Sequence, residues 1–308
     1  MIETVKALVR HVSLTVVVVC IFTLPLIASQ VVKEEDRGWA RGVLAQEKGF
    51  EARAEGDTLA VLYFENATGE ARLNPLQKGI ALMLMTDLSQ VEGVQLVERV
   101  RLQALVEEME LGVSGLVEKG SMPRVGRLLG ARYLVGGGIR GGAGQLGIFS
   151  DMLEVPAEKV AGSVLSEGNF SKVLEMEKEI LFGIIDLLKI RLDSGKKREL
   201  SRPMTRSIDA LYNLVYAIDS SDRGEYAKAG AFYRAALKAD PELGIAKEGL
   251  DELKELGLIA DGDRSRALAK QLDSKTSRTG SLSPDYASKR ERDPGDLGNT
   301  TGQIRVQW

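Results

Sequence analysis

The sequence predicts a mixed α/β fold, a sheet of about five strands with flanking helices, followed by a small all-α helical-repeat unit and a disordered tail. Three observations carry this. Leu59–Phe64 is a continuous apolar run of strand length, the pattern of a strand covered on both faces. Leu128–Arg140 leads through Gly130 into a second strand-like run rich in glycine. Ile208–Leu256 has apolar residues at helical spacing, and beyond Asp261 Ser, Thr, Gly and charged residues dominate.

In chain order, residues 1–29 begin with Lys6 and Arg10, continue as an apolar run from Val12 and end in Ala28-Ser29. This is the pattern of a signal peptide cleaved near Ala28 or Ser29, or of an N-terminal anchor. Val19 before Cys20 is too bulky for a lipidation site. Residues 30–57 are polar and read as a linker with some helix over Val43–Glu55. The first domain occupies residues 58–194. Asn74-Pro75 starts a helix with Pro at its first position, and Ile80, Leu84, Leu88 and Val91 recur on one face. Val94–Arg99 alternates as a second strand, and Leu102, Leu105, Val106 and Met109 mark another helix. Pro123 opens a short helix that Gly130 closes. Tyr133–Arg140, Leu146–Val155 and Val160–Phe170 form an antiparallel meander, and a helix over Ser171–Leu192 closes the domain. Gly195–Pro203 is a basic linker, residues 208–256 are the helical unit, and 261–308 are the tail. The tail ends on the alternating Ile304, Val306 and Trp308, suited to a barrel signal or a donated strand.

Composition narrows the chemistry. The formal net charge is −3, which gives no electrostatic case for nucleic acid. The single His11 and the single Cys20 both lie in the first segment, so a processed chain has no imidazole base, thiolate, disulfide or ordinary zinc site. Gly136–Gly141 fits G-x-G-x-x-G, but more glycines and a strand follow where a nucleotide site needs a helix. Glu65 and Asn66, with Glu70, sit in the loop after the first strand, where α/β folds place their sites; turn residues facing water are the simpler reading. Glu98-Arg99 suggests a salt bridge or a helix cap, and Lys196-Lys197-Arg198 a solvated linker. No catalytic, cofactor or metal residue is expected.

In the helical unit, counting back from Pro241, Ala217, Ala229, Tyr233 and Ala236 occupy the small, small, aromatic and small positions of a tetratricopeptide pattern of about 34 residues. Asn213 stands where that pattern has Trp. One such repeat cannot bury its own face, so it is expected to dock on the first domain or on another chain.

Leu59–Asn66 with Thr68-Gly69-Glu70, Val94–Arg99 and Gly130–Arg140 together resemble the CsgG family of curli-type secretion and assembly components and the related N-terminal domain of TolB-like proteins. The resemblance covers Thr58–Leu192. It implies a non-enzymatic cell-envelope protein, periplasmic or outer-membrane-associated or anchored to the inner membrane, acting as an assembly or scaffold protein through protein–protein contacts. Its partners would be other envelope or secretion components, with self-association compatible. The best-studied members form oligomeric outer-membrane channels, so a channel subunit is the alternative; Leu146–Glu154 lacks the alternation that a barrel strand requires. A nucleotide-binding regulator or carboxylate-based enzyme is the further alternative.

Overall fold

The computed structural model describes residues 30–47, 58–111, 121–142 and 144–260. The first 29 residues, with the expected signal or anchor, lie outside them. So do most of the expected loop Gly112–Ser121 and the 261–308 tail. The fold below belongs to one unit, Met1–Ile259.

Strand β1 (Thr58–Val61) lies between β3 (Gln95–Leu96) and β4 (Tyr133–Gly142), parallel to both, and the short β2 (Glu65–Asn66) also pairs with β4 in parallel. β4 continues antiparallel into β5 (Gln145–Glu154), and β5 into β6 (Lys159–Gly168), giving a six-stranded sheet of order β3-β1-β4-β5-β6 with β2 beside β4. The mixed α/β class and the meander read from the sequence are both present. Leu59 to Phe64 are all buried, as expected of a central strand with neighbours on both edges and helices on both faces.

Helix α1 (Glu34–Ala45) precedes the sheet, α2 (Pro75–Leu88) follows β2, α3 (Arg99–Glu108) follows β3, and α4 (Met122–Leu128) leads into β4. Pro75 starts α2 as expected, because its missing N–H falls where no intrahelical bond is made. Helix α5 (Val173–Leu187) then lies across one face of β5 and β6, burying Met176, Ile180, Leu181 and Ile184. It can come close because Gly183 leaves room for Val164: a Cβ on Gly183 would stand 2.5 Å from the Val164 methyl. Helices α6 (Ser194–Leu200), α7 (Ile208–Asp222), α8 (Tyr226–Ala239) and α9 (Gly244–Glu255) complete the unit.

Four expectations need correction. The start of the expected linker 30–57 is instead part of the body: Val31 and Val32 are buried, and α1 packs on α3. The helix found there is Glu34–Ala45, one turn after the chain enters the core, and residues 48–57 lie outside the described ones. The expected strand Val94–Arg99 pairs only at Gln95 and Leu96, because Arg99 already begins α3. The basic linker Gly195–Pro203 begins as helix α6, capped by Asp193, whose carboxylate accepts from the N–H groups of Gly195 and Lys196. The helix Ser171–Leu192 stops at Leu187, with Lys189 in the left-handed region at φ 59°.

Candidate functional site

Glu65 and Asn66 take different roles. Asn66 builds the turn that follows β2. Its Oδ1 accepts from the Thr68 N–H at 3.2 Å and the Thr68 hydroxyl at 2.5 Å, and its Nδ2 donates to the Glu70 carbonyl at 3.0 Å and to Asn74 Oδ1 at 2.7 Å. Gly69 at φ 74° lets the turn close. The segment after β2 is therefore a turn held by its own side chains. Glu65 faces elsewhere. It lines an open groove of about 400 Å³ on one side of the sheet, with Met122, Pro123, Phe149, Asp151 and Val160. Among the described residues neither Glu65 nor Asp151 forms a salt bridge; Asp151 accepts from the Ser163 hydroxyl. Glu158, at the groove's rim, pairs with Arg127 at 2.5 Å.

The glycines of β4 form the floor of this region. A Cβ on Gly137 would stand 2.0 Å from the Phe149 carbonyl oxygen, and one on Gly138 would stand 2.8 Å from the Phe149 ring. These positions serve close backbone and ring approach, not a phosphate cradle.

The repeat-pattern residues come together. Ala217, Ala229, Tyr233 and Ala236 are buried in the core shared by α7, α8 and α9, while Pro241 lies exposed in the turn after α8. The small side chains let α7 and α8 approach, and the Tyr233 ring sits in the notch left by Gly249, where a Cβ would be 2.5 Å from the ring. Gly224 at φ 73° makes the turn between α7 and α8.

The sequence reading missed how this helical unit is joined to the sheet domain. α7 packs on α2, and the seam between them is charged and buried. Arg99 donates from Nη1 to both carboxylate oxygens of Asp222, at 3.1 and 3.2 Å, and from Nη2 to the Gln30 carbonyl at 2.6 Å. Lys78 reaches Asp219 at 2.8 Å and Asp222 at 3.1 Å. Tyr63 donates its hydroxyl to Gln103 at 2.8 Å. The Gln30 N–H donates to Glu252 at 2.6 Å, so the start of the described chain is held in the same seam. Burial works to lower the pKa values of Arg99 and Lys78, but their neighbours, Asp222 above all the carboxylates, hold both above their ordinary values. Burial acts to raise the Asp219 carboxyl; Lys78 and Arg223 outweigh it and hold Asp219 low. These groups stay ionised and lock together. The salt-bridge reading of Arg99 was sound, but no local pattern names a partner in α7.

A second buried cluster joins α2 to α5. Lys178 pairs with Asp87 and lies 3.4 Å from Glu177, whose side chain is wholly buried. Burial first, then Asp87, pushes the Glu177 carboxyl up to about 8. The one Lys178 side chain faces two carboxylates, so burial favours the uncharged form of Glu177. No helix among the described residues is long and apolar enough to cross a membrane.

Comparison with known proteins gives three kinds of likeness. A curated relative, "Putative adenylate cyclase 3" of Rhizobium meliloti (strain 1021), is 24% identical over 199 residues, 63% of this chain. The chain spans 32% of that protein's length. Among solved structures, the LpoB C-terminal domain from Salmonella enterica aligns with a TM-score of 0.32 at 16% identity, over 44% of this chain and 98% of that one. TolB from Acinetobacter baumannii aligns with a TM-score of 0.30 at 14% identity, over 44% of this chain and 28% of that one. The chain also matches the family model of the "Curli production assembly/transport component CsgG", and the match extends over residues 47–141, which hold β1 to β4 and the helices between them.

Proposed function

We propose that this chain is a non-enzymatic cell-envelope assembly or scaffold protein that acts through protein–protein contacts. The observation that carries the reading is the seam. Arg99, Lys78, Asp219 and Asp222 join a sheet domain that matches the CsgG family model and a helical unit of repeat-like packing into one platform. A platform of this kind presents surfaces at fixed spacing, which suits holding partners together. The groove beside Glu65 supports the same reading, since it is open and lined by apolar and acidic side chains together. A periplasmic or membrane-associated location is part of this reading, supported by the match to the CsgG model and the signal-like first segment.

The test is expression of the full chain in a Gram-negative host, followed by fractionation and crosslinking in place. The chain is expected in the envelope fraction, in covalent adducts with envelope proteins. Recovery in the cytosol without adducts overturns the proposal. A subunit of an oligomeric CsgG-type channel is the alternative, and ring-shaped particles in detergent extracts by electron microscopy would replace the scaffold reading with it. A nucleotide-linked module has one observation in its favour, the likeness to a putative adenylate cyclase over 199 residues. A thermal-shift screen with purine nucleotides tests it, and no stabilisation is expected.

A further inference from the structure

The face of β5 and β6 that α5 does not cover is what the seam and the buried clusters leave unused. We propose that this face seats an amphipathic helix of a partner, apolar on one side and carrying Lys or Arg along its flank. The proposal rests on the contact-based reading above and names the partner's chemistry. Val160 and Leu165 are 50% and 49% exposed, unusual values for large apolar side chains. The sheet register sets Leu165 opposite Phe149 and Val160 opposite Leu153 on the same face, with Asp151 and Ser163 between the two pairs.

Backbone accounting favours a helix on the face itself; among the described residues β6 pairs only with β5, so its outer edge is where an extended segment would pair instead. β4 is paired with β1 and β2 on one side and β5 on the other, and β5 lies between β4 and β6. An extended chain laid on this face would find no ladder partners for its N–H and C=O groups, whereas a helix satisfies its own. The other face of β5 and β6 is already covered in this way, by α5.

Charge selects the flank. Glu65 and Asp151 line the groove without an ion pair among the described residues, and Glu158 pairs with Arg127. A basic flank meets these carboxylates and an acidic one is repelled. A second copy of this chain would bring the same carboxylates together, which disfavours self-pairing here.

The test uses the full chain and two synthetic helical peptides, each with leucine at i, i+3, i+4 and i+7, one flanked by lysine and the other by glutamate. Fluorescence anisotropy is expected to show the lysine peptide binding at least about tenfold more tightly, about 1.4 kcal/mol. Leu165→Glu with Val160→Glu is expected to abolish binding while circular dichroism shows an unchanged fold. Glu65→Lys with Asp151→Lys is expected to reverse the preference. Equal binding of both peptides, or binding untouched by these changes, overturns the proposal. A sedimenting dimer that Leu165→Glu disperses also overturns it, giving the face to a second copy. Envelope adducts that persist in the Leu165→Glu variant sink this inference alone, while loss of all adducts in the unaltered chain sinks the contact reading itself.

Discussion

The two faces of β5 and β6 are built from alternate residues of the same strands, yet they end differently. On one, Ile148, Met152 and Val164 lie under α5, where Gly162 and Gly183 let helix and sheet approach. On the other, Phe149 and Val160 look into an open groove and Leu165 is half exposed beside Phe149. Alternation alone assigns a side chain to a face; whether the face is buried depends on which element lands on it. The seam between α2 and α7 is the extreme of the covered case, because its buried groups are charged and must be paired.

Four experiments sharpen or break this contrast, in order of expected effect. Arg99→Ala leaves Asp222 buried beside Lys78 without its guanidinium partner. A loss of about 3–5 kcal/mol in urea unfolding is expected. Arg99→Met combined with Asp222→Leu is expected to recover most of it, and no recovery would show that the seam depends on charge in particular. On the covered face, Ile184→Ala removes a fully buried side chain and is expected to cost about 3 kcal/mol. On the open face, Leu165→Ser is expected to change stability by no more than about 0.5 kcal/mol. Equal costs for these two would mean that the faces do not differ.

The fourth concerns Glu177. Its folded pKa is raised to about 8 from an ordinary carboxylate value of 4.5, first by burial and then by Asp87. The folded state therefore prefers the protonated form. Its contribution is complete below the unfolded value, falls as pH rises from about 4.5, and is lost by about 8. Melting temperature is expected to decline over that window in the unaltered chain and to decline less in Glu177→Gln. A parallel slope in both would place the titration elsewhere.

Much of this was legible in the residues. The apolar run Leu59–Phe64, the Asn74-Pro75 helix start and the meander from Tyr133 are local signals, because each depends on residues within a few positions of one another. The packing of Ala217, Ala229, Tyr233 and Ala236 was legible for the same reason: small and aromatic residues at helical spacing meet across a short turn. Glu65 and Asn66 were both singled out, but the sequence could not separate the groove residue from the turn builder, since adjacent residues on a strand point opposite ways. The segment from Gln30 looked like linker because its burial comes from Arg99 and Glu252, far along the chain. Val94–Arg99 looked like strand because alternation says nothing about where a helix will claim its first residue.

By itself the sequence determined the central strand, the Asn74-Pro75 helix start, the meander and the packing pattern of the helical unit, the lone His11 and Cys20 in the first segment, and the motifs that match the CsgG family model. These depend on local spacing and composition, which a chain carries before it folds. The tertiary structure alone decided that the helical unit is joined to the sheet domain by Arg99 and Asp222, that Glu177 is shut away from water, and that one sheet face lies under α5 while the other stays open. Each of these turns on residues brought together from distant parts of the chain. Their energies come from burial and charge pairing that exist only once those parts have met.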